Sequence, residues 1–250
     1  MTESERERGE TPPAPARPAS TVIVLRDADR DRGIEVLLVR RNDKVAFMAG
    51  AYVFPGGRVD EADRPAEGPA DGAASRFADL DPREDLAHRR AAVRELAEEA
   101  NVTVPVDEVE PVSHWVTPAI EIRRFDTRFF VARMPADQEA RHDDSETTAL
   151  VWLSPSEALL QGRQGTISLP PPTWTMLTRL VGLQSVEAAL AWARATPIVR
   201  VEPGFVKTET LTMLTLPCDP LHPTIPGWDV PEETRFVLDK GRWLPTRATS

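Results

Sequence analysis

Apolar residues enter this chain in short runs separated by polar turns. Ala19-Ser20-Thr21-Val22-Ile23-Val24-Leu25 is rich in β-branched side chains and predicts a strand. Asp27 to Gly33 reads as a polar turn and Ile34 to Arg40 as a second strand, the two most simply paired as a hairpin. Tyr52-Val53-Phe54 predicts another strand, which runs into Pro55-Gly56-Gly57, a turn where the backbone can approach a ligand closely or take positive φ. The period then changes: Val93, Leu96, Ala97 and Ala100 recur at helical spacing and predict an amphipathic helix packed on a sheet.

Between these two patterns, roughly Arg64 to Asp85, lies a loop excursion punctuated by Pro65, Gly68, Pro69, Gly72 and Pro82, with a short helix expected at Ala73–Asp79. Downstream, Val102–Val106 and Val109–Val116 predict strands, and Phe125 to Ala132 predicts one in the centre of a mixed sheet. Ala149–Leu153 predicts a further strand, after which Ser154 as N-cap, Pro155 at N1 and Glu157 at N3 open a helix to about Gln161. Helices follow at Thr173–Gly182 and Val186–Ala195, then a strand at Leu211–Leu216. Phe236-Val237-Leu238 and Arg242-Trp243-Leu244 flank Asp239-Lys240-Gly241 as a terminal hairpin, with Trp228 and Trp243 as anchors.

The domain reading is a disordered arm over residues 1–18, rich in Glu, Arg and Pro, followed by one domain over 19–250. That domain contains the insertion at about 64–85 and a helical and hairpin extension over 173–250. With 30 Lys+Arg against 40 Asp+Glu the formal charge is -10, which argues against a protein that coats nucleic acid. Cys218 is the only cysteine, so no intramolecular disulfide forms, and a small apolar role suits it better than a nucleophilic one. There is no long apolar run and no charged-then-apolar leader pattern, so a cytoplasmic location without membrane contact is expected.

Arg94-Glu95-Leu96-Ala97-Glu98-Glu99 carries the clearest chemistry. On a helix Glu95 meets Glu98 at i,i+3 and Glu99 at i,i+4, while Arg94 reaches Glu98 at i,i+4. Converging carboxylates repel, so the run is either a solvated face or a site for a hard cation such as Mg²⁺ or Mn²⁺. Arg40, Arg41 and Lys44 follow the second strand and either solvate its end or contact phosphate oxygens. His114, within a strand, is expected to satisfy a core hydrogen bond.

These residues resemble the signature of the Nudix hydrolases: glycine, five residues, glutamate, seven residues, then Arg-Glu, an apolar residue, any residue, Glu-Glu, any residue, glycine and an apolar residue. Gly57 matches the opening glycine, and Arg94 to Val102 matches the closing half. Asp63 stands at the first glutamate, Asn101 at the last glycine, and 30 residues, 64 to 93, occupy the place of seven. Asn tolerates the left-handed cap that glycine usually fills. Phe54 to Asp60 followed by such a gap is similar to the Nudix 19-type branch and its bacterial relatives.

The resemblance implies an α/β/α sandwich around a mixed β-sheet and hydrolysis of a phosphoanhydride in a nucleoside diphosphate linked to a second moiety. Coenzyme A and its esters lead the substrates implied, with ADP-ribose, NADH or another dinucleotide as alternatives and a non-catalytic nucleotide-sensing or protein-binding module as a different class. Metal ligands are then expected at Glu95, Glu98, Glu99 and Glu146, with Mg²⁺ or Mn²⁺ as cofactor. Glu95 ligates or takes the proton from water, and Arg94 fixes the acids. Substrate contacts are expected from Arg40, Arg41, Gly56, Gly57 and Arg58, with an outer contact from Asp60, Glu61 or Asp63. Trp115 to Pro118 and Arg124 to Thr127 are expected to line the substrate side, and the C-terminal tail to cover its entrance.

Overall fold

The computed structural model describes residues 13–28, 33–43, 48–66, 74–142, 147–224 and 232–248. Lys44, Glu146, Trp228 and the insertion's Gly68, Pro69 and Gly72 lie outside those residues, as does most of the N-terminal arm.

The central strand is β1 (Arg17–Asp27), which starts two residues ahead of its apolar run. Its C-terminal half pairs antiparallel with β2 (Ile34–Arg41), Leu25 opposite Val36, as the predicted hairpin requires. Its N-terminal half pairs instead with β4 (Gly56–Arg58), Ser20 opposite Gly57. Along its other edge β1 runs parallel to β6 (Phe125–Arg133) from Arg17 to Leu25. β3 (Tyr52–Val53) and β7 (Thr147–Leu153) pair with β2, while β5 (Glu110–Val116) and β8 (Arg200–Val201) complete the other side. The result is a mixed eight-stranded sheet.

Side-chain alternation divides this sheet into two buried faces. Val22, Val24, Leu37, Phe130 and Ala132 pack against α1 (Pro82–Ala100), whose Ala92, Leu96 and Ala100 face them. Ile23, Leu25, Val36, Leu38, Phe129 and Val131 pack on the opposite side, with α3 (Pro171–Leu180) and α4 (Val186–Ala195) over them. The expected α/β/α sandwich is therefore present. α2 (Pro155–Gln164) opens as predicted, the Ser154 Oγ accepting from the Glu157 N–H at 3.2 Å. Gly165, at φ 78°, closes it.

A second sheet follows in the extension: β9 (Gly204–Lys207), β10 (Thr212–Thr215), β11 (Arg235–Asp239) and β12 (Arg242–Thr246), all antiparallel. The last two form the predicted hairpin, turning through Lys240 and Gly241, both at positive φ as a tight two-residue loop demands. Leu214, Leu216 and Phe236 sink into the main core, so this sheet is built onto the sandwich. Buried Asp219 secures it, accepting from Arg235 Nε at 2.8 Å and Thr234 Oγ1 at 2.7 Å.

Three local expectations are corrected. Val102–Val106 is not a strand. Pro105 interrupts the backbone donors, Val102 and Val104 bury beneath α1, and the Gln138 side-chain amide takes both the N–H and the C=O of Thr103, at 2.8 and 2.9 Å. Residues 74–79 of the insertion form a turn, not a helix. That turn is anchored by Phe77, 1% exposed, and by Arg76, whose guanidinium donates to the carbonyls of Pro111, Ala193 and Thr196. Gly56-Gly57 is a strand, and neither residue has positive φ.

Candidate active site

Helix α1 carries the acids because both its ends are specified. The Asp81 carboxylate caps the Arg83 and Glu84 N–H groups at 2.8 and 2.9 Å, and Pro82 sits in the first turn. Asn101 closes the helix in the left-handed conformation at φ 54°, the glycine role expected of it. The buried face comprises Asp85, Ala87, His88, Ala91, Ala92, Leu96, Glu99 and Ala100, rotated slightly from the predicted stripe, so Val93 and Ala97 are only half-buried and Glu99 turns inward. Small side chains on that face let α1 approach β1 and β4 closely.

The two strand glycines explain that approach. A Cβ on Gly57 would collide with the Glu95 carboxylate, and one on Gly56 with the Ser20 carbonyl. The Gly56 N–H donates to Glu99 Oε2 at 2.9 Å. The close approach seen here is to two carboxylates of this chain and to the neighbouring strand, and it needs no special φ.

Arg94 organises the acids. Nε and Nη2 grip Asp63 at 3.0 and 2.9 Å, Nη1 donates to Glu95 Oε1 at 2.8 Å and Glu98 Oε2 at 3.1 Å, and Nη2 also donates to the Arg58 carbonyl at 2.9 Å. A guanidinium has five N–H donors, and five acceptors meet them here. Hydrogen bonding to Asp63 contributes most to pushing the Arg94 pKa up, against the opposing effect of burial. For Asp63, burial is the largest single influence and opposes ionisation. The Arg94 hydrogen bonds, the Asp60 N–H and the Arg94 and Arg64 charges together outweigh it, holding the carboxyl below its usual range. Asp63 thus anchors the arginine across the insertion from the signature's glutamate position.

A cavity of about 640 Å³ opens beside this group, within the range typical of small-molecule sites. Arg41, Arg58, Asp60, Arg94, Glu95 and Glu98 line one side, and Trp115, Val116, Thr117, Pro118, Phe125 and Thr127 another. Pro203, Leu214 and Trp243 bring the C-terminal extension into the cavity lining. Sequence reasoning had no signal for Pro203 or for Leu214 as lining residues, because their position depends on how the second sheet docks.

The structure separates other expected residues. Arg41 lines the cavity and its buried Nε has no hydrogen-bond partner among the described residues. Arg40 instead grips Asp43 at 2.8 and 3.0 Å and Thr148 Oγ1 at 3.0 Å, and is absent from the cavity wall. Arg124 turns away from the cavity to Thr117 O, Ala14 O and Glu202.

His114 has the structural partner expected of it: Nε2 lies 2.8 Å from Asp126 Oδ1. With Asp79 these two bring potential ligand atoms within 4.8 Å of one another. Arg128 already supplies a cation there, donating to Asp79 Oδ2 at 2.8 Å and lying 3.3 Å from Asp126 Oδ1. Its guanidinium also lies 5.2 Å from the Phe77 ring centroid, so the cluster joins the insertion to the sheet. A second hollow of about 490 Å³ near Thr103, Glu108 and Gln138 gathers no comparable set of acids.

The carboxylates at the cavity are hard oxygen donors of the kind Mg²⁺ and Mn²⁺ take, although among the described residues it is Asp79, His114 and Asp126 whose ligand atoms already lie within 4.8 Å of one another. Among the described residues, Asp60, Asp63, Glu95, Glu98, Glu99 and Glu121 stand in or against the wall, opposed by Arg41, Arg58 and Arg94. Six acids against three arginines leave a formal excess of three negative charges, where an anionic ligand needs positive charge. The site therefore combines an α/β/α sandwich, a helix that presents clustered acids and a strand of paired glycines beneath them.

Known proteins agree. Residues 79–170 match the NUDIX domain family. The acyl-coenzyme A diphosphatase NUDT19 of Xenopus laevis is 26% identical over 82% of this chain and 75% of its own length. The human protein of that name is 27% identical over 72% of this chain and 66% of its length. A NUDIX hydrolase from Alicyclobacillus acidocaldarius superposes with a TM-score of 0.59 at 27% identity, covering 71% of this chain and 96% of that one. Residues 79–170 thus carry a Nudix domain, and that domain together with the NUDT19 relatives indicates a pyrophosphohydrolase.

Proposed function

We propose that this chain hydrolyses the pyrophosphate of coenzyme A and acyl-CoA esters, using Mg²⁺ or Mn²⁺. The observation that carries the reading is the joining of an acid-rich wall and an apolar wall in one cavity. An acyl-CoA has the corresponding division, a charged nucleotide pyrophosphate at one end and, beyond its thiol-bearing arm, an apolar acyl chain at the other. The NUDT19 relatives, named as acyl-coenzyme A diphosphatases, support the same substrate class.

Glu95, Glu98 and Glu99 would hold the cation, which when bound supplies charge screening and acidifies attacking water. Glu146 would be a further ligand. Arg94 holds Glu95 and Glu98 in place through its hydrogen bonds. Arg41 and Arg58 face the phosphate oxygens, and Glu95 either joins the cation or receives the proton lost by water. Water adds to one phosphorus as the bridging P–O bond breaks, and the leaving phosphate departs as an anion. Coenzyme A would yield 4′-phosphopantetheine and 3′,5′-ADP.

The test is product-resolved mass spectrometry with Mg²⁺ or Mn²⁺ on coenzyme A, acetyl-CoA, ADP-ribose and NADH. Formation of 3′,5′-ADP from the CoA compounds, abolished by EDTA and restored by added metal, is the expected result. AMP from ADP-ribose or NADH, with the CoA compounds untouched, would overturn the substrate assignment while leaving the hydrolase class intact.

A further inference from the structure

The charged wall accounts for only part of the cavity. The remainder is closed by Trp115 and Phe129 from the main sheet, Pro118 from the β5–β6 loop, and Pro203, Leu214 and Trp243 from the C-terminal extension. Trp115, Phe129 and Leu214 belong to the main apolar core, and Trp243 packs against it, so the floor of this half is continuous with the protein interior.

Two of its polar groups are engaged within the fold. The Trp115 Nε1–H donates to Ser113 Oγ at 3.1 Å, and Thr117 Oγ1 accepts from the Phe125 N–H at 3.0 Å. A nucleobase carries several donors and acceptors that lose hydrogen bonds to water in such surroundings, whereas a hydrocarbon gains by leaving water. Beyond this wall, the loop that supplies Pro118 and Glu121 also carries Ile120 and Ile122, 61% and 89% exposed.

We infer that the chamber formed by Trp115, Phe129, Pro203, Leu214 and Trp243 is an acyl subsite, which receives the fatty chain of an acyl thioester and makes the C-terminal extension the determinant of chain-length selectivity. The inference rests on the acyl-CoA reading above. Short acyl groups fill the chamber, and longer ones emerge across the isoleucine-bearing loop. Each methylene that enters leaves water for an apolar surface, so selectivity should rise with chain length and level off once the chamber is full.

The experiment compares kcat/KM for coenzyme A, acetyl-CoA, hexanoyl-CoA and decanoyl-CoA in the wild type, Trp243→Ala and Trp243→Phe, each checked for folding by circular dichroism. The wild type should favour hexanoyl-CoA over coenzyme A by roughly tenfold or more. Trp243→Ala should reduce that ratio at least about fivefold and Trp243→Phe should restore most of it. An unchanged ratio in a folded Trp243→Ala protein, or equal losses for coenzyme A and every ester, would overturn the subsite.

A second measurement needs no variant. S-acyl-pantetheines, which lack the nucleotide, should quench wild-type tryptophan fluorescence with affinity that increases from acetyl to hexanoyl, and chain-length-independent binding or no binding would count against the chamber. Failure of coenzyme A hydrolysis alongside graded pantetheine binding would refute the proposed reaction and leave the apolar subsite standing.

Discussion

The two walls of the cavity are held by different forces. On the acidic side one guanidinium satisfies Asp63, Glu95, Glu98 and the Arg58 carbonyl at once, so a few directional hydrogen bonds set the geometry. On the apolar side no such hub exists: Trp115, Leu214 and Trp243 come from three strands of two sheets and are positioned by packing. Directional networks fail sharply when one atom is displaced, whereas packed walls respond to volume in a graded way. On the proposed reading, reaction and selectivity should therefore respond separately to mutation.

The largest effect should come from the acids. Glu98→Gln keeps the side-chain shape and loses the anion, and kcat should fall on the order of 10²-fold or more with little change in Tm. Wild-type metal-dependent turnover in that variant would remove Glu98 from the proposed cation site. Gly57→Ala tests the network by volume alone. The strand backbone accepts alanine, but the new methyl displaces the Glu95 carboxylate, so turnover should drop about 100-fold, the scale expected of a misplacement near 1 Å. A Gly57→Ala enzyme with full activity would show that the acidic wall tolerates displacement as readily as the apolar one.

Acid should separate the walls by stability. His88 on α1 is 2% exposed, with Nδ1 3.0 Å from Ser20 Oγ and 3.2 Å from the Ala19 carbonyl on β1. A carbonyl only accepts, so the bond to Ala19 requires a proton on Nδ1. Burial, reinforced by the Arg128 charge, pushes the His88 pKa down from 6.5 to about 4. Because the folded value lies below the unfolded one, the stabilisation is complete above 6.5 and is lost as pH falls towards about 4. The loss amounts to about 3 kcal/mol, since one pKa unit is about 1.4 kcal/mol. Asp63, Asp79, Asp126 and Asp219 have their pKa values lowered from 3.8, so their contributions are lost below that window. Denaturant titrations across this range should show the fall in the wild type and a flatter profile in His88→Gln. Equal slopes would mean that the α1–β1 joint does not titrate through His88.

The contrast between the walls also explains what could be read in advance. Arg94, Glu95, Glu98 and Glu99 are local on one helix, and period, capping and charge identify them without knowledge of the fold. Asn101 was legible for the same reason, because a left-handed cap has a residue preference of its own. Asp63 was located but not understood: its bond to Arg94 spans 31 residues and depends on how the insertion returns to α1. Leu214 and Pro203 carried no signal, because only the docking of the second sheet brings them to the cavity. The Val102–Val106 strand failed for a related reason. Its β-branched pattern was real, but the distant Gln138 side chain supplies the pairing a neighbouring strand would have provided.

The smallest predicted effect separates two adjacent arginines that sequence treats alike. Arg40 and Arg41 end β2 at a register shift against β7, and consecutive strand residues point to opposite faces. Arg40 is held by Asp43 and Thr148 at the protein surface, an exposed arrangement worth roughly 0–1 kcal/mol. Arg41 reaches the cavity wall, where a phosphate oxygen would answer its buried Nε. Arg40→Ala should leave KM within about twofold of wild type, whereas Arg41→Ala should raise it by roughly tenfold, the loss of one charge-assisted hydrogen bond. Steady-state kinetics at two ionic strengths makes the comparison strict, because a remote surface charge is screened by salt and a contact inside the cavity is screened much less. Equal KM values for the two variants would show that the acidic wall holds its substrate without Arg41, leaving Arg58 as the arginine on that wall to receive the phosphates outside the Arg94 hub.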